Sequence, residues 1–340
     1  MAHQRKTSGT ARQNADAPIA LIVAGPTCSG KSALALSLAE RFTGTVINAD
    51  SMQVYADLHV LTARPDASDE ARVPHRLYGV LDAAQPGSVA WWREMALGEM
   101  QAAWTQGRLP ILCGGTGMYM RALLDGLVEV PEPGDEAREA ARAFVAEQGS
   151  EAAHAVLMRD DPQTAETLRP SDGQRVARAL EVLRGTGQGL SYWRSQPGLP
   201  PAPCRFVSVR LDPPREMLRA AIGERFSRMI DLGAMQEVET LVARGLSPAL
   251  PAMRAHGVPE LSAALAGTLL LDEAIRRAVI ATGQYTRRQA TWFNHHALGA
   301  EQDCMISLQR YDESTQFSER EFEKIATFIQ SAIDESSSPS

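Results

Sequence analysis

The sequence predicts an α/β protein in which helices flank a parallel sheet, and three observations support this class. Short apolar, β-like runs alternate with stretches of helical periodicity from residue 18 onward. The first run passes through a glycine-rich turn directly into a helix. Between the fourth and fifth runs, a block rich in Ala, Arg and Glu has helical spacing and no comparable strand. We therefore expect a sheet domain that carries a helical insertion domain.

The elements follow in chain order. Strands are predicted at 19–24, 45–49, 77–81, 109–113 and 206–211. Helices are predicted at 32–41, 89–106, 215–243 and 318–333, with a further helical block at 259–296.

Composition divides the chain further. A polar stretch without periodicity predicts a disordered arm at 1–17. The catalytic core is expected at 18–125 together with 204–300, and the helical insertion at 126–203. The segment 301–340 contains nine acidic and three basic residues, so we expect an acidic tail there.

The overall composition excludes several classes of protein. No apolar run approaches the roughly 20 residues needed to span a membrane, and no secretory pattern is seen. Four widely separated cysteines give neither zinc-binding spacing nor a disulfide framework. We expect a cytoplasmic protein without membrane association. The net charge of -7 does not exclude a local basic surface.

Residues 25–32 read Gly-Pro-Thr-Cys-Ser-Gly-Lys-Ser and fit the phosphate-loop pattern G-x-x-x-x-G-K-[ST]. In this pattern, backbone N–H groups and the following helix N-terminus bind phosphate oxygens. Lys31 adds a compact cation, and Ser32 offers a hydroxyl to Mg²⁺. The pattern predicts a P-loop NTPase-like sheet. Its loop should bind a pyrophosphate-bearing molecule through Gly25, Pro26, Thr27, Cys28, Ser29, Gly30, Lys31 and Ser32.

Two other strand ends carry candidate residues. Asp50 follows the second strand and should face the phosphate loop, because ligands of open α/β sheets bind beyond the carboxyl ends of the strands. It could act as a general base, organise Mg²⁺ or cap a helix. The segment 114–119 is either an ordinary turn or a place where glycines let the backbone approach a ligand, with Thr116 as a donor.

A further candidate region runs from residue 276 to 300. Arginines contact phosphates and aromatic rings stack on bases, so this region predicts either a nucleic-acid interface or a solvated helix with a buried aromatic face. It contains no acid, and its arginines and rings are Arg276, Arg277, Tyr285, Arg287, Arg288, Trp292 and Phe293.

Several segments occur in the order seen in the tRNA dimethylallyltransferases, also called tRNA isopentenyltransferases, and the chain resembles their bacterial type over about residues 18–296. The segments are 25–32, 48–55, 62–65, 74–77, 114–119, 174–181 and 287–293. The resemblance implies transfer of a dimethylallyl group from dimethylallyl diphosphate to the exocyclic amine of the adenosine 3′-adjacent to the anticodon in tRNA, with release of diphosphate. The zinc-finger extension of eukaryotic members is missing.

The resemblance also implies roles for individual residues. Asp50 is expected to be the general base, and Thr116 to hydrogen-bond the diphosphate near the breaking bond. Lys31 and Arg225, with Mg²⁺ on Ser32, are expected to stabilise the departing diphosphate. For Arg225, a solvated helix face is the alternative. The implied tRNA contacts are Asp50, Ser51, Met52, Gln53, Gln174, Arg175, Val176, Ala177, Arg178, Arg287, Arg288, Gln289 and Trp292.

The implied partners are dimethylallyl diphosphate and the anticodon stem-loop of tRNA, and the enzyme is expected to be a monomer. The chain departs from the common family pattern at His59, Leu61, Val258, Pro259 and Asn294, which puts local tRNA contacts in doubt. Three other functions fit parts of the sequence. They are an ATP-dependent small-molecule kinase, a prenyltransferase acting on free adenosine phosphates, and a non-catalytic RNA-binding module switched by a nucleotide.

Overall fold

A sheet of six parallel strands forms the centre of the part of the chain that the computed structural model describes, residues 17–312 and 316–337. The strands are β1 (Ile19–Ala24), β2 (Gly44–Asn48), β3 (His75–Arg76), β4 (Leu109–Gly114), β5 (Arg205–Leu211) and β6 (Cys304–Ser307). Their order across the sheet is β3-β2-β4-β1-β5-β6. The predicted parallel sheet with flanking helices is confirmed. The arm expected at 1–17 lies, except for Ala17, outside the described residues.

Helices connect the strands. They are α1 (Lys31–Arg41), α2 (Ala67–Arg72), α3 (Val89–Thr105), α4 (Gly117–Leu124), α5 (Asp135–Gln148), α6 (Ser150–Asp160), α7 (Pro162–Ala165), α8 (Gly173–Thr186), α9 (Leu190–Arg194), α10 (Arg215–Asp231), α11 (Ala234–Ala243), α12 (Val258–Leu265), α13 (Leu271–His295) and α14 (Gln316–Ser337). Within the described ranges, none combines the length and the apolarity that crossing a bilayer requires.

Strand β1 shows why the sheet is covered on both faces. All six of its residues are buried, as expected for a central strand of a parallel sheet. Because side chains alternate along a strand, Ala20 and Ile22 enter one hydrophobic cluster, whereas Leu21 and Val23 enter the cluster on the opposite face. These two clusters form the core on which the site described below is built.

Two predicted elements differ from the structure. The third strand is only His75–Arg76, and Leu81 instead forms an isolated bridge with Tyr55. The helix expected at 215–243 is two helices, because the chain turns at Leu232 and Gly233 between α10 and α11. Gly233 just after a helical stretch is a common helix-ending signal, so this break was visible in the sequence.

The segment from residue 301, expected as an acidic tail, contributes a strand and a helix to the fold. β6 pairs with β5, and Ile325 and Ile329 of α14 are fully buried in the cluster that covers one face of the sheet. Its acids are used in this packing: Asp303, itself 3% exposed, pairs with Arg205 at 2.5 Å. The helix predicted at 318–333 is confirmed as part of α14, whose buried isoleucines pack on the sheet.

The helical insertion is a compact unit of its own, Asp125–Pro201, where 126–203 is expected from the sequence. Its core is formed by α5, α6 and α8 with residues such as Leu157, Val176 and Leu180. The backbones of Leu127 and Leu199 pair antiparallel where the chain enters and leaves the unit.

The packing of α14 generates a stability prediction. Ile329→Ala should lower the free energy of unfolding of the sheet unit by about 2–5 kcal/mol, since it leaves a cavity in a closed core. Ile306→Ala, at a side chain that is 53% exposed on β6, should change it by less than about 0.5 kcal/mol. Urea unfolding followed by circular dichroism measures both variants. Equal effects would contradict the packing of α14 onto the sheet.

Candidate active site

The phosphate loop leaves β1 at its carboxyl end and enters α1. Cys28 has a φ of 67°, an unusual left-handed backbone for a residue with a side chain, and Gly30 follows with a φ of 90°. Ser29 is fully buried, and its hydroxyl oxygen has no partner among the described residues. Lys31 is 9% exposed, whereas Ser32 is exposed on the first turn of α1. This arrangement matches a loop built to receive an anion.

Asp50 is held at the carboxyl end of β2 by a buried asparagine. The Asn48 side-chain oxygen accepts from the Asp50 N–H at 2.8 Å, and its amide nitrogen donates to the Asp50 carbonyl at 3.0 Å. One carboxylate oxygen of Asp50 accepts from the Met52 N–H at 3.0 Å. In the described part of the chain this carboxylate forms no ion pair, so its second oxygen is available to a ligand.

Thr116 stands next to Asp50, because β4 lies between β1 and β2 in the sheet. Its hydroxyl accepts from the Ser51 N–H at 2.9 Å and donates to the Ser51 hydroxyl at 3.3 Å. The hydroxyl of Tyr285 on α13 lies within hydrogen-bonding reach of the side chains of Thr116 and Gln289. The strand-end turn therefore joins Thr116 to the segment that follows Asp50.

Gln289 on α13 ties two of these loops together. Its side-chain oxygen accepts from the N–H and the hydroxyl of Thr27, at 2.9 and 3.3 Å, and its amide donates to the Gly115 carbonyl at 3.0 Å. A Cβ at position 115 would stand 2.1 Å from this amide nitrogen. Gly115 thus makes room for a side chain of the protein itself. Gln289 is 5% exposed, so the side chain expected to contact tRNA is not presented to a surface ligand.

Arg225 reaches the phosphate loop from α10. Its two terminal nitrogens lie 3.9 Å from Cys28 Sγ and 3.3 Å from the Thr62 carbonyl oxygen. The guanidinium therefore lies beside the phosphate loop and not on the solvated helix face that the sequence also allowed.

The phosphate loop, Asp50 and Arg225 line one cavity of about 640 Å³, whereas Thr116 and Gln289 lie behind its lining. Asp50, Met52 and Gln53 from the segment after β2 reach it, as do Lys31 and Arg225. Its charged lining comprises five basic residues and two acidic ones, in a chain of net charge -7. They are Lys31, Arg64, Arg225, Arg228 and Arg310 against Asp50 and Asp66. The cavity therefore suits an anionic ligand with a carboxylate beside it.

The wall at 59–64 is positioned by a residue that the sequence did not single out. The carboxylate of Glu237 on α11 accepts from three successive backbone N–H groups, those of His59 and Val60 at 2.7 Å and of Leu61 at 3.0 Å. The Gln53 amide donates to the Thr62 carbonyl at 2.9 Å. No sequence pattern pairs residues so far apart, so Glu237 could not have been found in advance.

Two rings on α13 and before α12 form another part of the wall. The rings of His256 and Tyr285 have centroids 4.8 Å apart, and both line the cavity. Burial lowers the pKa of His256, and the charge of Arg288 lowers that pKa further, so its imidazole is neutral at pH 7. Burial and the nearby Asp50 raise the pKa of Tyr285, so its hydroxyl remains a donor.

The basic surface of α13 is smaller than its sequence indicates. Glu273, one turn earlier, pairs with Arg276 at 2.6 Å and with Arg277 at 2.7 Å. In the described ranges, Arg287 and Arg288 form no ion pair; both are exposed, and Arg288 lies 5.6 Å from the Tyr285 ring centroid. Glu273 precedes Arg276 by three residues and Arg277 by four, so both pairs could have been predicted from the sequence.

The remaining predicted tRNA contacts are distributed as follows. Trp292 is half-buried and stacks on His296 at 4.3 Å. In the insertion unit, Gln174 and Arg175 are exposed on α8, Ala177 is half-buried, and Arg178 pairs with the buried Glu181 at 3.3 Å. Val176 is 0% exposed in the core of that unit, so its side chain is not presented to a ligand.

Two of the departures from the family pattern are packing positions. Leu61 and Val258 are buried in the same hydrophobic cluster, together with Phe226 of α10. The exchanges at these positions therefore alter the core beside the cavity rather than a polar contact.

The oxygen-bearing side chains that line the cavity can be compared with the ligands that Mg²⁺ prefers. The described residues contain no group of three or more His, Cys, Asp and Glu side chains that could hold a metal ion by themselves. Mg²⁺ is often bound through one or two protein oxygens, with phosphate oxygens and water completing its octahedron. The exposed hydroxyl of Ser32 and the carboxylate of Asp50, both lining the cavity, fit that mode.

The bridge made by Gln289 generates a prediction. Gln289→Ala should destabilise the sheet unit by about 1–3 kcal/mol, because it leaves the Thr27 N–H and the Gly115 carbonyl without their partner. Gln284→Ala, an exposed position on the same helix, should have no measurable effect. Urea unfolding of the two variants checks this. A Gln289 variant as stable as the Gln284 variant would show that the bridge contributes nothing.

Comparisons with known proteins agree with this geometry. The family model described as IPP transferase matches residues 53–296, and one described as isopentenyl transferase matches residues 18–85. A tRNA dimethylallyltransferase of Gluconobacter oxydans is 68% identical over 315 residues, which cover 93% of this chain and 95% of the relative. A relative of that same name from Gluconacetobacter diazotrophicus is 58% identical over 94% of this chain and 96% of its own length.

Solved structures show the same likeness. The crystal structure of the full-length tRNA isopentenylpyrophosphate transferase from Bacillus halodurans has a TM-score of 0.66 at 30% identity, covering 94% of this chain and 98% of that one. A eukaryotic dimethylallyltransferase described as acting on tRNA has a TM-score of 0.67 at 25% identity, covering 81% of this chain and 70% of its own. The resemblance stated from the sequence motifs is confirmed. The chain belongs to the tRNA dimethylallyltransferases, enzymes of the isopentenyl transferase family.

Proposed function

We propose that this enzyme transfers a dimethylallyl group from dimethylallyl diphosphate to the exocyclic amine of the adenosine 3′-adjacent to the anticodon of tRNA, releasing diphosphate. The observation that carries the proposal is the placement of Asp50 in the same cavity as the phosphate loop and Arg225, with no ion pair to its carboxylate among the described residues. A nucleophile deprotonated by Asp50 can therefore meet an electrophile bound by the loop.

On the leaving-group side, the allylic C–O bond breaks and its electron pair moves to the diphosphate. Lys31, Arg225 and the backbone N–H groups of the phosphate loop lie where that negative charge grows. Oriented donors of this kind each contribute on the order of 10²–10³ in rate. Thr116, whose hydroxyl contacts Ser51 in the ligand-free protein, is proposed to hydrogen-bond the diphosphate near the breaking bond once the donor is bound.

On the nucleophile side, the exocyclic nitrogen of adenine forms the new C–N bond and loses a proton to Asp50. This nitrogen is a weak nucleophile, because its lone pair is delocalised into the ring, but it becomes strongly acidic as the bond forms. A carboxylate is therefore basic enough for the task. The adenosine has to leave its stack to reach this depth, as bases do in other enzymes that modify them.

We propose Mg²⁺ as the cofactor, held by Ser32 together with the diphosphate. When bound, it would neutralise charge on the departing diphosphate. The residues of the chain supply the remaining chemistry: the loop and Arg225 bind the donor, and Asp50 takes the proton. We also propose a cytoplasmic monomer as the working form, and light scattering after size-exclusion chromatography measures the oligomeric state.

The tRNA surface is proposed to include the exposed side of α13 around Arg287 and Arg288, and Gln174 and Arg175 on α8 of the insertion unit. These arginines are exposed, and those on α13 form no ion pair among the described residues. Such groups can displace counterions from RNA phosphates, which gives tRNA binding a steep dependence on salt.

One assay separates the proposal from its alternatives. Purified protein is incubated with Mg²⁺, labelled dimethylallyl diphosphate and unmodified tRNA in which adenosine follows the anticodon. Label should enter the tRNA, and free AMP should not compete as acceptor. ATP turnover without label in RNA would favour a kinase. Transfer to AMP alone would favour an enzyme for free adenosine phosphates.

The role of Asp50 gives a mutational prediction. Asp50→Asn should lower kcat by about 10²–10⁴, since it removes the base while keeping the oxygen that accepts from Met52. Asp66→Asn is the matched control: it is the other acid lining the cavity, and its side chain caps α2, which asparagine also does. Steady-state transfer to tRNA measures both. A fully active Asp50 variant would rule out Asp50 as the general base.

The proposed role of α13 in tRNA binding gives a second mutational prediction. Arg287→Gln should weaken tRNA binding on the order of fivefold at low salt and flatten the slope of log Kd against log salt by about 1. Arg277→Gln, on the same helix but already paired with Glu273, should change neither quantity. Filter binding between 50 and 200 mM salt distinguishes them. Identical salt slopes in both variants would remove Arg287 from the interface.

A further inference from the structure

A short segment after β6 runs across the phosphate loop, and we call residues 309–312 the strap. The Tyr311 N–H donates to the Ser29 carbonyl at 3.0 Å, and the Tyr311 hydroxyl donates to the Ser37 hydroxyl on α1 at 3.1 Å. The Tyr311 carbonyl oxygen lies 2.0 Å from where a Cβ at position 30 would stand. Gly30 therefore allows the strap to lie directly on the loop.

The sheet fixes the position of the strap. β6 pairs with β5 from Cys304 to Ser307, and the Asp212 N–H donates to the Ser307 carbonyl at 2.8 Å. The Gln309 N–H then donates to the Ser307 hydroxyl at 3.3 Å. The strap begins two residues after a paired strand, so its residues have a defined place beside the loop.

Arg310 is the strap residue that lines the phosphate cavity. Its Nε donates to the Cys28 carbonyl at 3.2 Å, and Nη1 pairs with Asp312 at 3.1 Å. Its Nη2 has no acceptor among the described residues. Arg225 approaches the same loop residue at Cys28 Sγ, 3.9 Å away. Two guanidinium groups from distant parts of the chain thus flank Cys28.

We propose that Arg310 is a diphosphate-binding residue and that the strap forms part of the active site. A diphosphate carries more negative charge than Lys31 and Arg225 neutralise, and the Nη2 group of Arg310 can donate to a phosphate oxygen while Nε and Nη1 hold the guanidinium against Cys28 and Asp312. The strap lies outside residues 53–296, the part of the chain that the IPP transferase family model matches. This inference rests on the proposed function, for which it adds a residue that binds the donor.

Isothermal titration with inorganic diphosphate, in the presence of Mg²⁺ and without tRNA, tests the proposal. Arg310→Gln should raise the Kd for diphosphate about tenfold. Arg320→Gln, at an exposed position on α14, is the matched control and should stay within twofold of the wild type. If thermal melting shows that Arg310→Gln does not fold, Arg310→Met, which keeps the apolar stem, replaces it with the same expected loss.

Steady-state kinetics add a second readout. In the folded Arg310 variant, the KM for dimethylallyl diphosphate should rise about tenfold while the KM for tRNA stays unchanged. Binding of diphosphate within twofold of the wild type would overturn the proposal, and so would an equal loss in Arg320→Gln. A wild-type protein that binds diphosphate through Arg310 but does not prenylate tRNA would refute the proposed function and leave this inference standing.

Discussion

Parallel pairing of β2, β4 and β1 brings three loops to one edge of the sheet, and the chemistry of the protein depends on that adjacency. The phosphate loop follows β1, Thr116 follows β4, and Asp50 follows β2. With β4 in the middle, the phosphate loop and Asp50 lie on either side of the turn that carries Thr116. None of these residues could act on a common substrate if the strand order placed β2 at the far side of the sheet.

The helix α13 keeps this edge in shape. Tyr285 and Gln289, four residues apart on one face, reach Thr116, the phosphate loop and the Gly115 carbonyl, whereas Arg287 and Arg288 project from the exposed side. One helix thus supports the loops and also carries exposed cations on its outer side. The basic residues of the chain also fall into two groups. Acids neutralise arginines at Glu273 and Asp303, while the cavity keeps an excess of basic groups.

Features encoded by neighbouring residues could be predicted from the sequence. The phosphate loop needs only a strand, a glycine pattern and a helix in succession, and all three are local. The position of Asp50 followed from its place at a strand end. The pairing of Glu273 with Arg276 is equally local, because the two residues are three apart on one helix.

Features that depend on distant residues could not be predicted. Gln289 acts through Thr27 and Gly115, and Glu237 through the loop at 59–61, so their roles exist only once the chain is folded. β6 has only four residues and no marked apolar pattern, so the sequence predicted the helix at 318–333 but not the strand before it. For the same reason the strap, and with it Arg310, could not be connected with the phosphate loop.

The most direct measurement of the central claim is a crystal structure with unreactive dimethylallyl thiodiphosphate and an anticodon stem-loop. The account predicts the diphosphate on the backbone N–H groups of residues 25–32. It also predicts the exocyclic nitrogen of the adenosine between the allylic carbon and the Asp50 carboxylate, with the nitrogen within about 3.2 Å of a carboxylate oxygen. A diphosphate bound elsewhere, or an Asp50 carboxylate turned away from the amine, would contradict it.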